Sequence, residues 1–154
     1  MGHGGAHQLS TCLLKLKEEI DFIVGFTRLV KESNVPNLPY LQAVVKETLR
    51  FHTSTPLIIR ECIQDCKIDN YDIKANTRVM ISIFAIMQDS NSWEDPNEFI
   101  LERFLVNLCE KTIDHVMEMK GQDFRYIPFG SGMRRCPGIA LASMVMQITI
   151  ERLV

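Results

Sequence analysis

One ten-residue stretch, Phe129-Gly130-Ser131-Gly132-Met133-Arg134-Arg135-Cys136-Pro137-Gly138, constrains this chain more than any other. Its three glycines open backbone conformations that other residues avoid. The stretch leads directly into a segment apolar on nearly every face, with Ile139, Leu141, Ala142, Met144, Val145, Met146, Ile148 and Ile150. A helix of that composition is expected to be buried on all sides. Cys136 then stands at the mouth of a buried helix. The positive end of the helix dipole and the neighbouring Arg134 and Arg135 both favour a thiolate there. A thiolate so placed suits a metal ligand or a nucleophile. The alternative is a buried free cysteine beside a Gly-rich turn, which explains the cysteine but not the other nine residues.

The remaining composition narrows the setting. A length of 154 residues predicts one domain, and a hydrophobic fraction of 46% is enough for a core. Lys and Arg number 17 against 19 Asp and Glu, a formal charge of −2, which argues against a basic nucleic-acid binder. Five cysteines are too few for a disulfide scaffold, and an odd count leaves one unpaired. The longest uncharged run around the last apolar segment, Cys136 to Ile150, has 15 residues. That is short of the roughly 18–20 needed to cross a bilayer, so no membrane segment is expected. Met1 to Ser10 is Gly/His-rich rather than apolar, which does not fit a secretory signal. Residues 1–12 are expected to form a disordered leader, with His3 and His7 solvated rather than metal-bound.

Periodicity predicts a mainly helical chain with a small β component, an α+β fold. Leu13, Leu16, Ile20 and Ile23 place a helix over 13–24, stopped by Gly25. Asn37 and Pro39 are suited to the cap and first turn of a helix over 39–52. Its stripe is Leu41, Val44, Val45, Thr48 and Leu49, the pattern of a helix packed on one side. A third helix is expected over 137–154. Short strands are expected between Ile58 and Ile83, from Leu57-Ile58-Ile59, Lys67-Ile68 and Arg78-Val79-Met80-Ile81, separated by Asp69-Asn70 and Ala75-Asn76 turns. Glu98 to Leu101 reads as a short helix, and Val106 to Gly121 as a loop with partial helix.

Two further groupings carry possible chemistry. Glu47 and Arg50, at i and i+3, can pair on one helix face. The apolar stripe lies opposite them, which predicts a solvated and weak pair. Cys62 and Cys66 form a C-x3-C pair, but without a second matched pair this is poor zinc spacing.

The order Phe129-x-x-Gly132-x-Arg134-x-Cys136-x-Gly138-x-x-x-Ala142 resembles the haem-binding loop of cytochrome P-450 monooxygenases, with every fixed position filled. The resemblance continues upstream. Glu47-Thr48-Leu49-Arg50 matches the E-x-x-R pair of the family. Leu101-Glu102-Arg103-Phe104 matches its P-E-R-F segment, with Leu101 in place of the usual Pro. Pro36-Asn37-Leu38-Pro39-Tyr40-Leu41-Gln42, Asn70-Tyr71-Asp72-Ile73, Trp93 to Phe99 and Gly121-Gln122-Asp123-Phe124 occur in the family's order. The chain is most similar to plant A-type members that hydroxylate flavonoids, triterpenes and related metabolites.

The resemblance implies that residues 13–154 form the C-terminal portion of the cytochrome P-450 fold. Cys136 would be the axial ligand of the iron of haem b, and thiolate ligation favours O–O cleavage. Arg134 would pair with one haem propionate and Arg60 with the other. Phe129 would pack near the sulfur, and Gly132 and Gly138 would let backbone approach the ring. Glu47, Arg50 and Arg103 would form a buried triad that holds the haem loop, against the stripe argument that exposes the first two. The full-length parent would be an oxidoreductase that inserts one atom of O2 into a small apolar plant metabolite. Its electrons would come from NADPH through a reductase, at the cytosolic face of the endoplasmic reticulum membrane. The family's oxygen-activating helix has no counterpart in this sequence, so no catalytic residue is assigned and the fragment itself is expected to be inactive. The alternative is a non-catalytic haem-binding or scaffold remnant of a truncated gene.

Overall fold

A single helix, α2 (Pro39–Phe51), organises the molecule. The computed structural model describes residues 3–25, 32–109 and 123–154. Around α2 pack α1 (His3–Ile23), a 3-10 turn (Glu32–Asn37), α4 (Glu102–Cys109) and α5 (Ile139–Leu153). Between α2 and α4 run β1 (Leu57–Glu61), β2 (Cys66–Ile68), β3 (Tyr71–Ile73), β4 (Arg78–Ser82) and the short α3 (Ile83–Met87).

The strands form two antiparallel pairs, one nested in the connection of the other. In the outer pair Leu57 lies opposite Ser82, Ile59 opposite Met80 and Glu61 opposite Arg78. In the inner pair Cys66 lies opposite Ile73 and Ile68 opposite Tyr71. Asp69, in the turn between them, has a φ of 54°, a left-handed conformation that Asp tolerates better than most residues. The mainly helical architecture with a small β component follows the expectation from periodicity. The strand pattern does not point to β3, because only four residues separate its turns.

The described core has two parts. Ala43, Val45, Leu49, Ile83, Met87, Phe104, Tyr126, Ile127 and Ile139 form one. Leu16, Ile20, Val24, Leu38 and Leu41 form the other. Helix α2 contributes to both, which explains a departure from the sequence reading. Its supposed polar face is as deeply buried as its stripe: Gln42, Lys46, Glu47 and Arg50 are all buried, the last three at 0% exposure. A polar face can be buried when its hydrogen bonds are satisfied, and periodicity does not report that.

The ends of the helices also differ from expectation. Helix α1 begins at His3, so most of the leader read as disordered is helical. Extending a helix that is already nucleated adds one hydrogen bond per residue ordered. Gly25 ends it as expected, with a φ of 85° and its N–H donating to Asp21 O at 3.1 Å. Leu38, not Asn37, holds the N-cap position of α2, and no side chain of its own caps it. Glu19, from α1, performs that task. Its Oε1 accepts from Tyr40 N–H at 2.9 Å and its Oε2 from Leu41 N–H at 3.0 Å. A carboxylate at a helix N-terminus also meets the positive end of the dipole.

Two expectations downstream need correction. Glu98 to Leu101 is not helical; the helix starts at Glu102. Helix α5 is not buried on all sides. It buries the stripe Ile139, Ser143 and Gln147, while Leu141, Val145 and Ile148 face solvent. Among the described residues α5 packs mainly on α2, and one neighbour covers one flank. Residues 110–122 and the side chains of His3 and His7, on which the sequence raised expectations, lie outside the described residues. No helix of the described residues is long and apolar enough to cross a membrane.

Candidate cofactor-binding site

The Cys136 loop is fastened to the core at its start. Tyr126 is buried, and its hydroxyl donates to Lys46 O of α2 at 3.1 Å. Its ring packs against Phe104 and Trp93. The chain then turns sharply, with Gly130 N–H donating to Ile127 O at 3.0 Å. Gly130 and Gly132 have φ values of 73° and 74°, which a residue with a side chain adopts at a cost. Gly130 has a second constraint, since a Cβ there would stand 3.3 Å from Ile58 Cδ1 of β1. The loop closes on itself where Cys136 N–H donates to Phe129 O at 3.0 Å. Phe129 turns its ring onto the main core cluster while its carbonyl braces the cysteine.

Beyond that brace the loop is open. Met133, Arg134, Arg135 and Cys136 are exposed. Gly138 holds the N-cap position of α5 without a side-chain cap. A Cβ on Gly138 would touch Cys136 Sγ at 3.7 Å, an ordinary contact, and one on Gly132 would meet open space. Gly132 therefore answers a backbone requirement, and Gly138 bounds the space beside the sulfur. The guanidinium of Arg60, on β1, donates to Arg134 O at 3.3 Å. This bond joins β1 to the loop and brings the Arg60 guanidinium to the Arg134 backbone. The sequence list omitted Gly130, although its contact with Ile58 makes it the tightest glycine of the loop; its place in the Gly-x-Gly run was the available signal.

Glu47 and Arg50 form a separate, buried pair, with Arg103 half-buried beside them. Arg50 Nε and Nη2 donate to the two oxygens of Glu47, both at 2.8 Å. Arg50 Nη1 donates to Met87 O at 3.0 Å and Pro96 O at 2.9 Å, and Nη2 to Glu98 O at 3.0 Å. These contacts occupy all five N–H donors of a guanidinium. Glu47 Oε1 also accepts from Ile100 N–H at 2.9 Å. Arg103 is the looser member. Its Nε lies 3.7 Å from Glu47 Oε1, an ion pair without a hydrogen bond, and its Nη2 donates to Asp95 O at 2.7 Å. Glu47 and Arg50 thus fasten α2 to the segment 87–100, and α2 in turn carries the carbonyl that holds Tyr126.

The donor set fits a haem. An exposed cysteine and the arginines Arg60 and Arg134 offer a sulfur ligand and carboxylate partners, and Met133 of the loop and Leu141 of α5 leave apolar surface exposed. Among the described residues no group of three or more His, Cys, Asp and Glu is arranged to hold a bare metal ion.

The sequence model of the family described as Cytochrome P-450 matches residues 12–154. The chain is 48% identical over 140 residues to beta-amyrin 24-hydroxylase of Glycine max, covering 91% of this chain and 27% of that protein. It is 44% identical over 134 residues to 2-hydroxyisoflavanone synthase of Glycyrrhiza uralensis, covering 87% and 25%. Among solved structures, a zebra fish cytochrome P-450 with abiraterone superposes with a TM-score of 0.79 at 28% identity, over 94% of this chain and 32% of that one. The chain thus spans about a quarter of the length of the curated relatives it matches. With a match over nearly its whole length, the chain belongs to the cytochrome P-450 family.

Proposed function

We propose that this chain is the haem-ligand portion, residues 13–154, of a plant monooxygenase, with Cys136 as the residue that would supply the thiolate ligand. The observation that carries the reading is the exposed Cys136, its backbone N–H held by Phe129 O, in a loop where Arg134 is exposed and its carbonyl accepts from Arg60. Bound haem b supplies redox-active iron, and thiolate ligation favours O–O cleavage. The residues of this chain hold and orient it. Cys136 would ligate, Arg134 and Arg60 would take the propionates, and Gly132 and Gly138 would keep side chains out of the ring's path. Phe129 fixes the ligand's backbone, and Glu47, Arg50 and Arg103 keep the platform beneath it rigid.

The substrate class we assign is a small apolar plant metabolite of flavonoid or terpenoid type, supported by the names of the relatives. Electrons from NADPH would arrive through a reductase at the cytosolic face of the endoplasmic reticulum membrane. This chemistry needs a dry distal wall, which the much longer relatives of this family have the length to supply. The solvent-facing Leu141, Val145 and Ile148 of α5 suit a helix that a larger domain covers.

Titration with haemin tests the ligand. The chain should bind haem weakly, and the reduced CO complex should show the red-shifted Soret band of thiolate ligation. Cys136→Ala should lose that band, and a full-length chimera carrying the same substitution should lose hydroxylation with it. A thiolate band that survives Cys136→Ala would refute the assignment.

A further inference from the structure

Two sulfur atoms outside the Cys136 loop lie side by side. Cys62 Sγ and Cys66 Sγ are 3.9 Å apart. Cys62 directly follows β1 and Cys66 opens β2, so the pair spans the corner where the chain leaves the outer hairpin for the inner one. The backbone at this corner is held. Cys62 N–H donates to Thr77 O at 3.0 Å, and Cys62 O accepts from Asn76 N–H at 2.7 Å. Asp65, next to Cys66, accepts from the Lys74 ammonium at 2.9 Å and from Ala75 N–H at 2.8 Å. The zinc reading of this pair fails for want of ligands among the described residues. What remains is two thiols set in contact by a braced turn.

We infer that Cys62 and Cys66 are a dithiol pair that closes to an intrachain disulfide when oxidised by a small disulfide such as glutathione disulfide. A disulfide bond is about 2.05 Å long, so the sulfurs must approach by about 2 Å, a distance within the reach of side-chain rotation. Cys66 is exposed and meets the oxidant first. Its thiolate attacks one sulfur of glutathione disulfide, forming a mixed disulfide and releasing one glutathione thiolate. Cys62 then loses its proton, attacks the Cys66 sulfur and expels the second glutathione, which takes up a proton. Two protein thiols are oxidised and one glutathione disulfide is reduced to two glutathiones. Desolvation, then the hydrogen bond and charge of Cys66, raise the Cys62 thiol above its ordinary pKa, in keeping with Cys66 leading and Cys62 resolving.

Trypsin cuts after Arg60 and Lys67 and at no residue between, so one peptide, Glu61 to Lys67, carries both cysteines. The full chain is equilibrated in glutathione buffers of graded ratio, acid-quenched, alkylated and digested for mass spectrometry. The expected product is this peptide lighter by two hydrogens and closed to alkylation. In the folded chain its half-point should fall at a ratio at least about tenfold more reducing than in denaturant, because the fold raises the thiols' effective concentration. Cys62→Ser should instead accumulate a glutathione adduct on Cys66. The inference is overturned if both thiols of the wild-type peptide remain alkylatable under oxidising buffer. It is equally overturned if the adduct persists on wild-type Cys66, if Cys62→Ser gains no adduct, or if folded and denatured chains close at the same ratio.

Discussion

Two charged groupings of this molecule, the Glu47–Arg50 pair and the Cys136 loop, are built in opposite ways. The pair is fully buried, and every donor of Arg50 is spent on a partner inside the chain. The loop leaves Arg134 and Cys136 exposed, and backbone bonds from Gly130 and Cys136 N–H brace it from behind. The contrast separates two uses of polar residues. A group saturated by its own chain holds structure, because nothing is left to bind with. A group braced from behind and exposed in front is arranged for something outside the chain. The two are linked in series, since α2 carries both the pair and the carbonyl that anchors Tyr126 at the root of the loop.

The strongest way to break this comparison is Arg50→Ala. It would leave Glu47 buried with only Ile100 N–H and the distant Arg103, and orphan three backbone carbonyls. Removing one partner of a buried pair costs about 3–5 kcal/mol, measurable by urea unfolding monitored by circular dichroism. An effect below about 1 kcal/mol, typical of a surface pair, would remove the structural role given to Arg50. Arg103→Ala should cost less, about 2 kcal/mol, the order of a hydrogen bond to a charged group. Glu47 keeps Arg50 in that variant, and Arg103 contributes chiefly its bond to Asp95 O. Equal losses in the two variants would mean that the triad works as one unit.

The same contrast explains what could be read in the sequence. The loop was legible because its parts are contiguous: glycines, arginines and cysteine lie within ten residues of a helix start. The helices over 13–24 and 39–52 were legible from their stripes. The burial of Glu47 and Arg50 was not legible from periodicity, because their partners are backbone carbonyls. Met87 O, Pro96 O and Glu98 O lie 37, 46 and 48 residues away, and any residue type supplies a carbonyl. Only the likeness of Glu47-Thr48-Leu49-Arg50 to a family motif pointed inward. The cap of α2 was hidden for a related reason. Local spacing nominated Asn37, whereas Glu19 reaches in from another helix. The overestimate at α5 came from counting apolar residues without knowing how many neighbours would arrive to cover them.

Glu19 offers a finer test of structural polarity. Glu19→Gln leaves one acceptor oxygen where two N–H groups need one each, so it should cost about 1 kcal/mol, as lost helix caps do. Its pH dependence has a definite sign. Burial is the largest influence and raises the Glu19 carboxyl above its ordinary value, with the bonds from Tyr40 and Leu41 N–H opposing. The folded state therefore holds the proton more tightly than the unfolded state. That contribution to stability is complete below the ordinary carboxylate range and is lost as pH rises through the raised value. The advantage of the wild type over Glu19→Gln should accordingly shrink as pH rises across that window. An advantage that grows would show that the two backbone bonds outweigh burial.

The smallest stability effect is expected at the residue given the largest functional one. Cys136→Ser keeps the backbone bond from residue 136 to Phe129 O and alters an exposed side chain whose sulfur no described hydrogen bond holds. Surface substitutions of this kind fall within about 0.5 kcal/mol, so the urea midpoint should barely move. Haem titration should read the same variant differently. The hydroxyl is a poor replacement for a thiolate, and the thiolate band should disappear from a chain as stable as its parent. A midpoint shift comparable to that of Arg103→Ala would mean that the sulfur is part of the scaffold, and the division between spent and exposed polar groups would fail at its most exposed point.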